Sequence, residues 1–494
     1  MRLHADILAR IGAVGVPAGV EAIDFAPVVA DSRRSGAGSA FVAVQGTGAD
    51  GHAFAAAAVA AGALLVVAER PLDVAVPVVV VRDSRRALAV LAMAAAGDPT
   101  RRMTLVGVTG TDGKTSTTMM IEAGLAACGH STGLLGTVIY RWAGVARESA
   151  LTTPDAVALA GMFADMAGAG VTAAVMEVSS HALDQRRADG CAFGVACFTN
   201  LARDHLDYHR TPEAYADAKL RFFTEVLPAN PEAKGAVVNG ADPFRACIRA
   251  ACPLPVVTFA TSGDADVRPL DARFDLSGIR ARVATPWGEV AFESPLIGPH
   301  NLANALTAIG AAGLLGLPLA RFADGVARLD RIPGRLERVT GARPVTVFVD
   351  YSHTPKSIEN VLTVLRPLVG GAAVTIVCGA GGDRDRGKRP LMGRAAALLA
   401  DRVVVTSDNP RSEDPDAIID AIVAGIEAAG AGGERTAPFH VEPDRRRAIL
   451  EAIRGSRPGD VVVIAGKGHE NHQIVGTRKL HFSDVEVAKE ILDA

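Results

Sequence analysis

A glycine-rich loop that ends in Gly-Lys-Thr, at residues 107–117, constrains the fold of this chain more than any other segment. The apolar run Met103–Val108 leads into the loop, and the amphipathic stretch Thr115–Cys128 follows it. A strand, a glycine-rich loop and a helix in this order are typical of a nucleotide-phosphate site, because loop N–H groups and the helix N-terminus face the phosphate oxygens. We therefore expect Lys114 to contact the outer phosphates and the Thr115 hydroxyl to face Mg2+.

The spacing of this loop departs from the usual pattern at one position. Val108 stands where such loops usually carry their first glycine, and Gly107 and Gly110 flank it instead. The alternative interpretation is a glycine-rich turn with a chance Lys-Thr pair. The flanking strand and helix favour the nucleotide site, and therefore an enzyme that uses ATP.

Length and composition limit the classes of protein to which this chain can belong. A chain of 494 residues predicts about three domains, and 49% hydrophobic with 21% charged residues suits a globular enzyme. The net charge of -3, without a dominant basic patch, argues against nucleic-acid binding. The apolar runs are too short for membrane insertion and the N-terminus lacks a signal-peptide pattern, so we expect a cytoplasmic protein. Six cysteines without a Cys-x-x-Cys pair predict reduced thiols.

Strand and helix patterns divide the chain into three α/β regions, at residues 1–100, 101–340 and 341–494. A helix at Arg86–Ala96 closes the first region before Gly97-Asp98-Pro99, since Gly and Pro end helices and mark linkers. Strands alternate with helices in the other two regions, which predicts doubly wound parallel sheets. The third region is Rossmann-like and has a glycine-rich turn without Gly-Lys-Thr. Ligands bind such sheets at the carboxyl ends of the strands.

Short apolar runs mark the expected strands. In the second and third regions these are Met103–Val108, Ala173–Val178, Val195–Asn200, Ala236–Asn239, Val345–Val349, Val374–Cys378, Val403–Thr406 and Val461–Ala465. Two further runs, Ile279–Val283 and Glu289–Phe292, predict an antiparallel hairpin at one edge of the central sheet.

Polar residues follow two strands of the second region and are expected to share one crevice. Glu177 is placed to hold Mg2+, which prefers hard oxygen ligands, although it could instead cap the next helix or pair with an arginine. Asn200, Asp204 and His205 follow the next strand. For His205, contact with a metal or phosphate and a structural role are both open. Taken alone, Lys219 is an ordinary lysine two turns into a helix.

Charged residues also gather after the strands of the third region. Asp350 ends a strand, where an acid often holds a ribose hydroxyl, and Arg335 could contact a phosphate. The segments Asp383–Arg389, Asp408–Arg411 and Gly466–Glu470 each follow a strand. Their Arg, Asp and Glu residues predict a pocket for a small zwitterion, while the alternative for each is a solvated loop.

The motifs, taken in order along essentially the whole chain, resemble those of the Mur ligases, the ATP-dependent amide-forming enzymes of peptidoglycan precursor synthesis. The resemblance depends on Gly110–Thr115, Glu177, Asn200–His205, Asn301, Arg335 and Asp350–His353. A narrower match, to the members that add the third residue of the peptide, depends on Thr152-Thr153-Pro154, Glu177–His181, Gln185, Arg187 and the Ala-Asp-Ala-Lys stretch ending at Lys219. Asp408–Arg411 resembles the signature of members that select meso-diaminopimelate over L-lysine. Asp112 departs from the family, in which asparagine is frequent at this position.

The resemblance implies three domains, which bind the UDP-substrate, ATP and the incoming amino acid, and it implies residues for each ligand. For ATP these are Gly110, Thr111, Asp112, Gly113, Lys114, Thr115, Ser116, Asn301, Arg335 and Asp350. For the UDP-substrate they are Ser32, Thr47, Gly48, Ala49, Thr152, Thr153, Ser179, Gln185 and Arg187. For diaminopimelate they are Arg384, Asp408, Asn409, Pro410, Arg411, Gly466 and Glu470. The implied catalytic residues are Lys114, Glu177, His205 and Lys219, and the implied Mg2+ ligands are Thr115, Glu177, His205 and Lys219 as a carbamate.

The implied reaction adds meso-diaminopimelate to UDP-N-acetylmuramoyl-L-alanyl-D-glutamate. ATP would phosphorylate the D-glutamate γ-carboxylate, and the amine would attack the resulting acyl phosphate with His205 or His353 as a candidate base. The expected enzyme is a cytoplasmic monomer that serves cell-wall synthesis, cell shape and cell division. Two alternatives are an L-lysine-adding Mur ligase and a ligase similar to folylpolyglutamate synthase. A third, from another class, is a nucleotide-switched binding protein without ligation.

Overall fold

The computed structural model describes residues 1–46 and 48–494, and it confirms the predicted α/β class. The helices are α1 (Ala5–Arg10), α2 (Ala55–Ala60), α3 (Ser84–Ala95), α4 (Lys114–Ala127), α5 (Ala156–Gly168), α6 (Ser180–Asp184), α7 (Leu206–His209), α8 (Pro212–Arg221), α9 (Arg245–Ala251), α10 (Pro299–Leu314), α11 (Leu319–Ala327), α12 (Pro355–Leu365), α13 (Lys388–Leu399), α14 (Pro415–Ala431), α15 (Arg445–Arg454) and α16 (Asp484–Asp493).

The strands are short, as the apolar runs predict. They are β1 (Ala13–Gly15), β2 (Val28–Val29), β3 (Ala40–Val42), β4 (Leu65–Ala68), β5 (Val78–Val81), β6 (Thr104–Thr109), β7 (Thr132–Leu135), β8 (Ile139–Trp142), β9 (Val145–Glu148), β10 (Ala173–Glu177), β11 (Val195–Phe198), β12 (Gly235–Asn239), β13 (Val256–Phe259), β14 (Arg268–Asp275), β15 (Gly278–Thr285), β16 (Gly288–Ser294), β17 (Glu337–Val339), β18 (Thr346–Asp350), β19 (Val374–Cys378), β20 (Arg402–Val405), β21 (Phe439–Val441), β22 (Val461–Ala465), β23 (His472–Val475) and β24 (Arg478–His481).

A five-stranded sheet in the order β1-β5-β4-β3-β2 forms the first region. Strands β2 to β5 pair in parallel, and β1 pairs with β5 in the antiparallel sense. Leu65 and Val67 pack in one cluster with residues of α1 and α3, whereas Val66 and Ala68 pack with residues of α2. Because both faces of β4 are covered, its sequence is apolar throughout.

The central sheet has eight strands in the order β13-β12-β11-β6-β10-β7-β8-β9. The first six pair in parallel, while β8 and β9 add an antiparallel edge that the predicted parallel sheet did not include. Strand β6 lies between β10 and β11, so the segments that follow these three strands meet at one edge of the sheet. This edge carries the phosphate loop.

A six-stranded sheet in the order β17-β18-β22-β19-β20-β21 forms the last region. All its pairs are parallel except β17 with β18. Strand β17 begins at Glu337, a few residues before the expected start of the third region at 341. Strands β20 and β22 both neighbour β19, so their carboxyl ends lie near each other.

The prediction for the hairpin was right in its strands and wrong in its place. Strands β15 and β16 form a separate three-stranded sheet with β14, not an edge of the central sheet. The physical reason is their burial pattern, since alternate residues of β15 and β16 are exposed. Such strands cover one side of a core, whereas the inner strands of the central sheet, such as β6 and β10, are buried on both faces.

The chain divides into two compact units. One comprises Met1–Asp271, Arg282–Ala291 and Ala303–Val326, and the other comprises Ala272–Ala281, Phe292–Leu302 and Ala327–Ala494.

Within the described residues, no helix has the length and apolar character that a membrane span requires. All six cysteines are free thiols.

Candidate active site

The phosphate loop requires glycine at two positions. Gly110 and Gly113 have φ angles of 146° and 84°, which L side chains rarely adopt. A Cβ atom on Gly110 would lie 1.9 Å from Thr199 Oγ1, and one on Gly113 would lie 2.6 Å from Asn304 Oδ1. The loop between β6 and α4 therefore presents bare backbone at the helix N-terminus, as phosphate binding needs.

The departure from the usual loop spacing follows from where β6 ends. Gly107 and Val108 lie inside the strand rather than in the loop. A Cβ atom on Gly107 would meet Phe222 Cζ at 2.5 Å and Phe193 Cε1 at 2.6 Å. Gly107 therefore makes room for core packing, and Gly110 begins the phosphate loop.

Two residues after β11 hold the loop in place. The Asp112 N–H donates to Asn200 Oδ1 at 2.9 Å. The Asp112 carbonyl oxygen accepts from Thr199 Oγ1 at 2.5 Å and from Asn200 Nδ2 at 3.1 Å. Because its backbone makes these contacts while its side chain is exposed, Asp112 can occupy a position where the family often has asparagine.

Two lysines meet beneath the phosphate loop. Lys114 Nζ donates to the carbonyl oxygens of Gly110 (3.0 Å) and Thr111 (2.8 Å). Lys219 Nζ donates to the same Gly110 oxygen at 2.7 Å, and it lies 4.6 Å from the centre of the Tyr215 ring. Burial, with the positive charge of Lys114, holds the pKa of Lys219 well below its usual range. The interpretation of Lys219 as an ordinary helical lysine is therefore wrong, because its side chain is 1% exposed.

Glu177 joins the phosphate loop to the next strand of the sheet. The residue is 1% exposed, and its carboxylate accepts from Thr115 Oγ1 at 3.0 Å. The Thr137 N–H and hydroxyl also donate to the two carboxylate oxygens, at 2.8 and 3.0 Å. The open alternatives for Glu177, a helix cap or an arginine pair, are wrong, since all three of these partners are threonine groups.

The residues implied for the dipeptide part of the substrate form one network beside Glu177. The Thr153 hydroxyl donates to the Glu177 carbonyl oxygen at 2.8 Å and accepts from the Ser179 N–H at 3.0 Å. Arg187 donates to the Thr153 carbonyl oxygen at 2.8 Å and to Gln185 Oε1 at 2.7 Å. Thr152 joins the network through a contact of 3.1 Å between its hydroxyl and that of Thr137. The structure therefore brings together all five residues that were expected here.

His205 lies in a group of aromatic rings near Lys219. Its ring is 4.9 Å from that of His181 and 6.1 Å from that of Tyr215, measured between centres. Nε2 of His205 lies 3.3 Å from Asp204 Oδ2. Burial lowers the pKa of His205 by more than the neighbouring Asp204 carboxylate raises it. At neutral pH the ring is therefore largely uncharged and able to accept a proton or bind a metal.

The residues implied for the UDP end belong to two turns of the first region. Ser32 begins a short 3-10 helix whose preceding residue, Asp31, accepts from the Arg33 N–H at 3.0 Å. Gly48 and Ala49 are exposed. Thr47, which the resemblance also implies, lies outside the described residues.

Three residues expected to contact ATP lie in the second compact unit. Asn301 Nδ2 donates to the Ile297 carbonyl oxygen at 3.0 Å. The Arg335 guanidinium lies 5.2 Å from the centre of the Tyr351 ring. Asp350 is buried and accepts from the Leu336 N–H at 2.7 Å and from the Ser352 hydroxyl.

The segments implied for the amino acid meet after β20 and β22. Asn409 Nδ2 donates to Glu470 Oε2 at 2.8 Å, and a Cβ atom on Gly466 would lie 2.5 Å from Asp408 Oδ2. Arg411, with φ of 53°, donates to the Gly382 carbonyl oxygen at 2.7 Å.

Two more of these residues lie at the edge of the same group. The Arg384 side chain approaches the same glycine turn as Arg411, since both lie within 4 Å of a Cβ built on Gly381. Pro410 is buried, and its carbonyl oxygen lies beside Gly382. The structure therefore brings together the residues after β19, β20 and β22.

Three residues of these groups were not predicted. Thr137 follows β7, a strand that no apolar run predicted. Tyr208 accepts from Gln185 Nε2 at 3.0 Å, and no local pattern indicates this contact. Lys467, inside the segment Gly466–Glu470, is fully buried, although a solvated loop was an open alternative for that segment.

No group of three or more His, Cys, Asp or Glu side chains arranged for a metal ion occurs among the residues that the structure describes. The pair of Thr115 and Glu177 nevertheless supplies hard oxygen donors of the kind that Mg2+ takes together with waters and phosphates.

Comparisons with known proteins agree with this geometry. Three family descriptions match: the Mur ligase family catalytic domain at residues 25–97, the Mur ligase middle domain at 108–312, and the Mur ligase glutamate ligase domain at 334–468. A UDP-N-acetylmuramoyl-L-alanyl-D-glutamate--2,6-diaminopimelate ligase of Gloeobacter violaceus is 47% identical over 100% of this chain and 98% of its own length.

A second relative and a solved structure carry the same name. The relative from Synechococcus elongatus is 46% identical over 93% of this chain and 92% of its own length. The solved structure of a ligase so named has a TM-score of 0.75 and 34% identity, and the match covers 100% of this chain and 99% of that one.

Proposed function

Because this chain belongs to the Mur ligase family, whose members are ATP-dependent amide ligases, we propose that it adds meso-diaminopimelate to UDP-N-acetylmuramoyl-L-alanyl-D-glutamate. One observation carries the proposal. Glu177 contacts Thr115 of the phosphate loop and, through its carbonyl oxygen, Thr153 of the expected dipeptide site. A nucleotide phosphate and an acid substrate bound at these positions would be neighbours.

The chemistry requires this proximity because a carboxylate does not react with an amine until one of its oxygens becomes a leaving group. Transfer of the γ-phosphoryl group to the D-glutamate carboxylate would give an acyl phosphate. The amine then attacks the carbonyl carbon, and phosphate leaves. Lys114 and the N–H groups of the first turn of α4 would neutralise charge on the transferring group.

Mg2+ fits beside these residues. The Thr115 hydroxyl and the Glu177 carboxylate are 3.0 Å apart, and hard oxygen ligands of this kind suit the ion. Bound there, the ion would stabilise negative charge on the phosphoryl oxygens. His205 and a carbamate on Lys219 are the further ligands that we propose.

The surroundings of Lys219 support carbamylation. Only a neutral amine attacks carbon dioxide, and burial of Lys219 favours the neutral form. The reaction joins Nζ to the carbon and releases one proton, which leaves an anion beside the phosphate loop. That anion replaces a buried amine in a place where a cation is expected to bind.

The Thr153–Arg187 network would hold the dipeptide. Arg187 keeps a positive charge next to Gln185 and the Thr153 backbone, where it can pair with the α-carboxylate of D-glutamate. The γ-carboxylate would then face Glu177 and the phosphate loop.

His353 is the candidate base that lies in the second compact unit. Its Nδ1 lies 2.7 Å from the Tyr351 carbonyl oxygen, which can only accept, so Nδ1 carries the proton and Nε2 is the basic nitrogen. Burial lowers the pKa of His353, so the ring is neutral at the pH where a base is needed.

A coupled assay with product mass as readout tests the function. We expect ADP and a conjugate of the UDP-substrate with meso-diaminopimelate, and no phosphate release when either substrate is omitted. Faster ligation of L-lysine would favour the lysine-adding alternative. A rate of phosphate release that is the same with and without the UDP-substrate and the amino acid would favour a nucleotide-switched binding protein.

We also propose that the enzyme works as a monomer in the cytoplasm, where ATP and the UDP-substrate are soluble. Light scattering during size exclusion tests the first part: a mass near 50.9 kDa is expected. Cell fractionation tests the second, since recovery with the membranes would contradict it.

A further inference from the structure

A buried lysine connects the two segments that are expected to hold the incoming amino acid. Lys467 has a side-chain exposure of 0% and lies in the segment after β22. Its Nζ donates to Asn409 Oδ1 at 3.0 Å, and it is 3.6 Å from Asp408 Oδ1 and 3.5 Å from Glu470 Oε2. One ammonium group therefore contacts three polar side chains of the site.

This contact fixes the orientation of the Asn409 amide. Asn409 Oδ1 accepts from Lys467 and from the Ile474 N–H at 2.9 Å, so the amide nitrogen must point the other way. That nitrogen donates to Glu470 Oε2 at 2.8 Å. Lys467 thereby positions Glu470 twice, directly and through Asn409.

A second buried cation holds the backbone under the same two segments. Arg445 pairs with Asp484, and both side chains are fully buried. It donates to the carbonyl oxygen of Ser407 at 3.4 Å and to that of Ala465 at 3.0 Å. These residues immediately precede Asp408 and Gly466. Arg445 therefore holds the backbone where both segments begin, and Lys467 contacts their side chains.

The Lys467 ammonium lies between two carboxylates, those of Asp408 and Glu470. Carboxylate oxygens accept several hydrogen bonds, so both can also accept from the ammonium group of a bound amino acid. Without Lys467 the two carboxylates would repel each other and the Asn409 amide could turn over.

We propose that Lys467 is a positioning residue for the amino-acid substrate, which holds Asp408, Asn409 and Glu470 in the arrangement that binds the substrate's ammonium group. The inference rests on the proposed function. It predicts an effect on binding of the amino acid and not on ATP or the UDP-substrate, because the contacts of Lys467 all lie among residues of the amino-acid segments.

The test compares Lys467→Met with Lys467→Gln and a matched control. Methionine removes charge and donor, whereas glutamine keeps an N–H donor for Asn409. Lys356→Met is the control, since Lys356 is exposed in α12 and pairs with Glu359 at the surface. For each enzyme the KM of every substrate, kcat at saturation, and the midpoint of thermal unfolding are measured.

We expect Lys467→Met to raise the KM for the amino acid about 30-fold, as the loss of one partner of a buried charged contact does. The other two KM values should stay within about threefold, and Lys467→Gln should recover part of the loss because it restores the bond to Asn409. Use of L-lysine relative to diaminopimelate should also change in Lys467→Met, which a general loss of stability would not cause.

Three results would overturn the inference. One is an unchanged KM for the amino acid in both variants. Another is a parallel rise of all three KM values, which would mean that Lys467 serves stability alone. A third is the lack of a cooperative unfolding transition in both variants. If the wild-type enzyme ligates no amino acid, the proposed function fails, and that result is distinct from the other three.

Discussion

Replacement of Glu177 by glutamine separates the chemistry of the site from its stability. The substitution keeps the size of the side chain and removes one negative charge from a position that is 1% exposed. If the remaining oxygen stays at Oε1, it still accepts from the Thr137 N–H and from Thr115 Oγ1, at 2.8 and 3.0 Å in the wild type. The new amide nitrogen then faces the Thr137 hydroxyl, which can rotate to accept.

The expected stability change is small because two effects oppose each other. Three charge-assisted hydrogen bonds become neutral ones, each weaker by about half, which costs about 2 kcal/mol in total. Removal of a buried charge recovers a similar amount. We therefore expect the free energy of unfolding to change by less than about 1 kcal/mol, measured by urea denaturation.

Activity should nevertheless fall steeply. In the proposed role the Glu177 carboxylate holds a cation at the phosphoryl group, and loss of one group that stabilises developing charge costs about 100- to 1,000-fold in kcat. The measurement is kcat with all substrates saturating, with Thr137→Ser as the control because serine keeps both the N–H and the hydroxyl. A Glu177→Gln enzyme with more than a tenth of the wild-type kcat would refute this role of Glu177.

Three further predictions test other parts of the site. Arg411→Ala should raise the KM for diaminopimelate by about 10- to 100-fold, since a charged hydrogen bond is lost, and an unaltered KM would contradict the assigned pocket. Gly110→Ala should abolish ATP binding in calorimetry and destabilise the fold by about 2 kcal/mol or more, because its Cβ would lie 1.9 Å from Thr199 Oγ1. Gly161→Ala, which meets no atom within 4 Å, is the control and should bind ATP normally. For Lys219, burial lowers the pKa below the ordinary 10.5, so the unfolded chain binds the proton more tightly. In buffer free of carbon dioxide, where Nζ is an unmodified amine, the unfolding free energy of the wild type relative to Lys219→Met should therefore rise with pH between the lowered pKa and 10.5. A flat difference there would contradict the burial of the Lys219 amine.

Several features of the site were predictable because they depend on local sequence. The apolar runs predicted β6, β10, β11 and most strands of the last sheet to within one or two residues. Strand ends of parallel sheets share one edge, so the side chains of Glu177 and Asn200 were expected near the phosphate loop, where the structure has them. Resemblance to the family then grouped residues, such as Thr153 and Arg187, that have no local signal.

Other features depend on contacts between distant segments and could not be predicted. The Lys219 side chain is buried because the helix that carries it packs under Gly110, more than a hundred positions away. Strand pairing is another such feature. Short apolar runs do not determine that β8 and β9 form an antiparallel edge, or that β14 to β16 form a separate sheet.

The order of strand, loop and helix around Gly110–Thr115 was determined by sequence alone, because backbone conformation there follows from local residue types. The environment of each ionisable group was decided only by the tertiary structure. The burial of Lys219 and Lys467, and the three threonine groups around Glu177, arise from packing of segments far apart in the chain. Burial, nearby charges and hydrogen bonds determine whether a side chain is charged. The reactivity of these side chains therefore depends on the tertiary structure.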